Sequence, residues 1–136
     1  MTLRRPVRSL FLSLGLALTP AAAAMAADLA TPTGQSLTLY DVVLEPETGV
    51  ARFLFLAPGI TLDADAGPSY SDVQADFPWL CDEVIVPALR ENGWGAEEVV
   101  ISMSDRQVDF GVSDPEATQF FEVFSLGEDG CTWEGF

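Results

Sequence analysis

The sequence predicts an α+β fold: an antiparallel sheet of about five or six short strands, with one main helix packed on one face and a single disulfide. Three observations carry this. Apolar residues alternate with polar ones along Val99–Met103, which is the period of a strand. Between Ser71 and Asn92 they recur instead at steps of three and four, the period of a helix. The chain has two cysteines, Cys81 within that helical stretch and Cys131 near the end.

Upstream of these elements, Arg4, Arg5 and Arg8 precede an apolar run from Leu10 to Leu18, and Ala24-Met25-Ala26 follows. A basic start, a short apolar segment and an A-x-A site are the parts of a secretory signal peptide. Residues 1–26 are therefore read as removed on export, and residues 27–136 as a single α+β domain. The apolar run is too short to span a bilayer as a helix. An uncleaved anchor or a buried N-terminal helix is the alternative.

Ala27 to Gly34 is small and turn-prone and reads as a disordered lead-in. Leu37 to Leu44 is rich in strand formers, with apolar residues at both parities, so it predicts a strand covered on both faces or bulged near Asp41. Pro46-Glu47-Thr48-Gly49 supplies a turn, and Arg52 to Ala57 the returning strand of a hairpin. Pro58-Gly59 ends that strand. The loop that follows contains Asp63-Ala64-Asp65-Ala66-Gly67, which invites comparison with a calcium loop. Its glycine falls one place early and Gln74 stands where a bidentate glutamate is needed, so a solvated loop is expected.

Val73, Phe77, Leu80, Cys81, Val84 and Ala88 share one face of the predicted helix, with Asp72 or Asp76 placed to cap its start and Asn92-Gly93 to stop it. Pro87 lacks the N–H that would bond the Glu83 carbonyl, which predicts a bend. After the Val99–Met103 strand, Asp105-Arg106 reads as a turn, and Val108, Phe110 and Val112 alternate as a further short strand. Asp114 and Pro115 have the marks of a helix cap and first position, so one helical turn is expected before a strand over Thr118 to Leu126. Gly127-Glu128-Asp129-Gly130 then turns the chain into a hairpin with Cys131 to Phe136.

Cleavage after residue 26 leaves Arg52, Arg90 and Arg106 against 21 acids, a net charge of −18, with no Lys and no His. Nucleic acid binding is excluded, because three scattered arginines build no phosphate-binding patch. Attraction to an anionic membrane is disfavoured for the same reason. In an oxidising compartment an even pair of cysteines forms a structural disulfide more often than two free thiols or a redox pair. With no histidine or lysine there is no Ser-His-Asp or Cys-His triad, no Schiff-base lysine and no P-loop lysine, and two cysteines alone make no ordinary zinc site.

Carboxylate chemistry and binding remain. The densest polar cluster is Asp105, Arg106, Asp109, Asp114 and Glu116, where two carboxylates could divide acid and base roles and one arginine could clamp an anion. The plainer reading is that Arg106 pairs with a neighbouring aspartate to shape a turn. Trp79, Trp94, Trp133 and Phe136 would be partner anchors if several met on one surface, and core residues otherwise.

The residues also carry a resemblance. Gly34 to Val42, Leu80-Cys81 with Pro87 in the helix, Ile101 to Arg106, Phe110-Gly111, Ser113 to Glu122 and Cys131 to Phe136 resemble a family of small exported bacterial proteins classed only as a domain of unknown function. The likeness covers nearly all of residues 27–136 and implies no activity. Members sometimes bear an acetolactate synthase label. This chain does not support it: a thiamine diphosphate enzyme needs several hundred residues and a metal–diphosphate motif, and Gly127 to Gly130 is a hairpin turn. The expectation is a periplasmic or secreted, non-enzymatic binding or interaction protein, without cofactor or metal, whose partner is an unidentified protein or small molecule. A carboxylate hydrolase using Asp105, Asp109 and Asp114 is the alternative, and weak calcium binding at Asp63 and Asp65 a third.

Overall fold

A helical crossover flanked by two hairpins builds the molecule. The computed structural model describes residues 28–135. Six strands, β1 (Leu29–Ala30), β2 (Ser36–Glu45), β3 (Val50–Leu56), β4 (Glu98–Ser104), β5 (Gln119–Gly127) and β6 (Gly130–Trp133), lie side by side in chain order. The expected signal peptide lies outside the described residues.

The sheet is mixed, which corrects the antiparallel sheet expected from sequence. β3 and β4 run parallel, Val50 opposite Glu98 through Leu56 opposite Ser104, while every other neighbouring pair is antiparallel. The cause is the helical segment between them. It returns the chain to the end of the sheet from which β3 set out, so the next strand must point the same way. Period-2 patterning reports which face a residue takes and not the direction of its neighbour.

The helical segment runs as α1 (Tyr70–Val73), α2 (Asp76–Leu80), a π-helical turn (Cys81–Ile85) and α3 (Val86–Asn92). Ser69 caps its start, donating its N–H to the Asp72 carboxylate at 2.9 Å. The bend expected at Pro87 is met by the π turn just before it, where Val86 donates to Cys81 O. Widening the helix by one residue per turn spares the proline ring its clash with the preceding carbonyls. Gly93, at φ 66°, ends α3 in the left-handed region.

Strand alternation sends Ala51, Phe53, Phe55, Val99, Ile101, Met103, Phe120 and Phe124 to the helix side, where they meet Val73, Phe77, Leu80, Cys81, Ile85 and Leu89. Phe53, Phe55, Phe77 and Phe124 are fully buried, and each stabilises the fold by roughly 2–3 kcal/mol through lost apolar surface. Cys81 and Cys131 are joined, Cα to Cα 6.2 Å, as sequence predicted. The neighbouring Asp82 accepts the Cys131 N–H at 3.1 Å, a second tie between helix and last hairpin.

Three further expectations need correction. The lead-in is not structureless over its described part: Leu29 and Ala30 pair with Leu37 and Ser36. Asp76 is not a cap but a fully buried carboxylate that accepts the Thr31 hydroxyl at 2.7 Å, the Thr33 N–H at 3.0 Å and the Thr33 hydroxyl, binding the N-terminal turn to α2. Val108 to Val112 form no strand, because this stretch crosses the face of the sheet and meets no strand edge to pair with. The helical turn expected at Asp114 is a single turn closed by Ala117 N–H to Asp114 O at 3.2 Å. The bulge foreseen near Asp41 is present: the β2–β3 register shifts between Leu39 and Asp41, leaving Tyr40 as the extra residue.

Two outcomes follow for stability. Replacing both cysteines by alanine frees a loop of 50 residues and lowers unfolding free energy by about 4 kcal/mol in the chain-entropy account, measured by urea denaturation. Asp76→Ala strands three donors and costs about 2–3 kcal/mol, with amide exchange accelerating first in residues 29–35.

Candidate binding cleft on the helix-free face

The helix covers one side of the sheet, and the other side carries a different set of residues. Register places Leu54, Ser102 and Phe121 in one row across β3, β4 and β5, and Arg52, Val100 and Val123 in the next. Over these rows lies the connection from Asp105 to Thr118. Tyr40, the bulge residue, fastens it from beneath: its hydroxyl donates to Val108 O at 3.0 Å and accepts the Val108 N–H at 3.2 Å. A strand hydrogen-bond pair is thus supplied by a side chain, and Val108 is buried as a result.

Between loop and sheet is a cleft of about 160 Å³. Leu54, Val100 and Ser102 form its floor, and Phe110, Val112 and Phe121 stand at its rim with 48%, 57% and 55% of their surface exposed. Arg52 closes one end. Its guanidinium lies 5.2 Å from the Phe110 ring centroid and its Nε donates to Glu45 at 3.1 Å. Ser102 is 4% exposed, and among the described residues its hydroxyl meets no hydrogen-bond partner, as is also true of Ser104 two residues on. A buried hydroxyl without a partner costs about 1–3 kcal/mol, so its placement beneath the cleft is an energetic liability.

The five residues expected from sequence fall into two groups. Asp105, Arg106, Asp114 and Glu116 gather at the base of the connection. Asp105 pairs with Thr118 through its N–H to Thr118 O at 3.0 Å and through Oδ1, which accepts the Thr118 N–H at 3.1 Å. Arg106 Nε donates to the same carboxylate at 3.1 Å. Asp114 Oδ1 accepts the Glu116 N–H at 3.0 Å, folding its own turn. Burial pushes the Asp105 carboxyl up, but the Arg106 guanidinium and the Thr118 N–H outweigh it and hold the group below its usual range. The hydrogen bond to Asp105, and then the charges of Asp105, Asp114 and Glu116, raise the Arg106 guanidinium in turn. Asp109 alone of the five lines the cleft.

Ser102, Arg52, Leu54 and Phe121 were not singled out from sequence. Their strands are far apart in the chain and only register aligns them. The usable signal was local: Phe120-Phe121 and Phe53-Leu54-Phe55 are apolar at both parities, which marks strands with something to cover on each face. Of the aromatics considered as anchors, Trp79 and Trp94 pack against the core, Trp133 is half exposed, and Phe136 lies outside the described residues. In the acidic loop Asp63 Oδ1 accepts the Asp65 N–H at 2.9 Å, and among the described residues no three acidic, cysteine or histidine side chains converge as metal ligands. Among those residues no helix is long and apolar enough to cross a membrane.

The depressed Asp105 carboxyl sets a pH dependence. It contributes stability above its unfolded value near pH 4, and that contribution is lost as pH falls through the lower folded value. Asp105→Asn should therefore be less stable than the parent at pH 7, with the two melting temperatures converging as pH drops below about 4.

No curated protein and no solved structure matches the chain. Its residues 14–136 match the model of a family of unknown function, DUF6497, and the chain belongs to that family.

Proposed function

We propose that the protein is an exported, non-enzymatic binding domain, acting in the periplasm or outside the cell, whose ligand seats in the cleft on the helix-free face. The observation that carries this is the Ser102 hydroxyl, buried without a partner at the floor of an apolar cleft with an exposed Phe110, Val112 and Phe121 rim. A few polar groups at the bottom of an apolar concavity are the usual composition of a small-molecule site.

Size narrows the ligand. An engineered apolar cavity of about 150 Å³ holds one benzene ring, and this cleft is about 160 Å³. The fitting group is one ring or a branched chain of similar bulk bearing a single hydrogen-bonding substituent for Ser102, free or presented on a partner's side chain. The acidic chain, with a net charge of −18 once residues 1–26 are removed, favours a neutral or cationic group over an anionic one. The disulfide supports an oxidising compartment.

Hydrolysis by Asp105, Asp109 and Asp114 draws no support from the geometry. Asp105 is engaged by Arg106 and Thr118, Asp114 by its own turn, and Asp109 lines a different part of the surface.

Titrating isotopically labelled protein with phenol and with benzene tests the assignment. Saturable shifts should centre on Ser102, Phe110 and Phe121, and phenol should bind more tightly than benzene by about fivefold, the worth of one hydrogen bond. Ser102→Ala should erase that preference while leaving benzene unaffected. Absence of saturable shifts at these residues would refute the cleft as a binding site.

A further inference from the structure

β5 presents a second recess to the opposite side of the sheet. Glu122 follows Phe121 and points toward the helix, where it is 9% exposed in a sheet face otherwise made of Phe120, Phe124, Ile101 and Met103. Carboxylates are rarely so buried unless a cation accompanies them. Among the described residues none does: Arg52 pairs with Glu45 and Arg106 with Asp105, while Arg90 lies on α3 beside another recess. Glu122 instead accepts a hydrogen bond from Trp133 Nε1. It also stands beside Tyr70, whose phenol is raised by burial and by the Glu122 charge and hydrogen bond.

The carboxylate opens into a groove of about 340 Å³ between α1–α2 and the β5–β6 hairpin. Phe77 and Phe124 line its depth, and the half-exposed indole of Trp133 forms one wall. Ser71, Gln74 and Pro78 form the other. The groove therefore combines a carboxylate that is hydrogen-bonded to the indole with aromatic surface, and among the described residues no basic side chain lines it. Aromatic faces attract cations through their quadrupole, most strongly indole, and the attraction grows where water is excluded. Inorganic ions are poorly served, because Glu122 is a single carboxylate and no second acid lines the groove.

We infer that the Glu122–Trp133 groove is a binding site for an alkylammonium cation, of which a quaternary ammonium head is the best-fitting form. The charge is matched by Glu122 and the methyl groups by the half-exposed indole of Trp133. This site does not depend on the Ser102 cleft, since Phe121 and Glu122 face opposite sides of the same strand.

The test titrates the full chain with choline, with its neutral carbon isostere 3,3-dimethyl-1-butanol, and with sodium chloride. The readouts are Trp133 fluorescence and its indole N–H resonance, with Trp133→Phe identifying the Trp133 signal among the three indoles. Choline should shift both saturably, at least tenfold more tightly than the isostere, and sodium chloride should leave them unchanged. Glu122→Gln keeps the shape and should abolish the preference for choline. Trp133→Ala, at a half-exposed position that leaves the core intact, should weaken choline by about tenfold when binding is followed by calorimetry. Equal binding of choline and isostere, an equal response to sodium, or choline binding unaltered in Glu122→Gln and Trp133→Ala would overturn the inference. No saturable binding in the parent would do the same, leaving Glu122 a support for the indole and nothing more.

Discussion

The parallel pairing of β3 with β4 is the constraint on which the rest of the molecule depends. Two adjacent strands running the same way need a connection that crosses the sheet, and the chain spends residues 57–97 on it. That crossover delivers the helix to one side only. Everything else in the fold is antiparallel and local, hairpin to hairpin. The opposite face must then be covered by whatever connects β4 to β5, and that stretch has neither helix nor strand of its own. A cleft arises there because an irregular loop, pinned at Val108 by Tyr40, covers that face of the sheet incompletely.

The helical segment is held at two points by chemistry stronger than packing. Asp76 gathers three donors from the N-terminal turn, and Cys81 bonds covalently to the final hairpin. The first tie recruits the shortest strand of the sheet, the second its last. Both grip within six residues of one another, around the junction where α2 passes into the π turn. The C-terminal half of the segment, α3, is left to its apolar stripe and to the Gly93 stop.

Much of this architecture could be read in advance. Period 2 in Val99–Met103, period 3.6 in Val73–Ala88 and the turn residues at Pro46–Gly49 and Gly127–Gly130 placed five of the strands and the helix, because each signal is written within one element or one turn. Strand direction could not be read, since it belongs to the connection between elements. Val108, Phe110 and Val112 alternate like a strand for a different reason: Val108 is buried against the sheet while Phe110 and Val112 rim a cleft. The polar cluster from Asp105 to Glu116 was visible as a cluster, and four of its members do meet, but its geometry is that of a loop closing on itself. Ser102 and Glu122 were invisible as sites because what marks them is their burial, a property of three strands and a helix together.

β5 carries the sharpest consequence. Phe121 and Glu122 are consecutive, yet one lies on a solvent-facing apolar rim and the other beneath the helix. A displacement of β5 by one position against β4 would thrust the glutamate outward and drive phenylalanine into the place of a carboxylate beside Trp133. Misaligned pairings are thereby penalised on both surfaces at once, so this strand acts as a proofreading element for the alignment of the whole sheet.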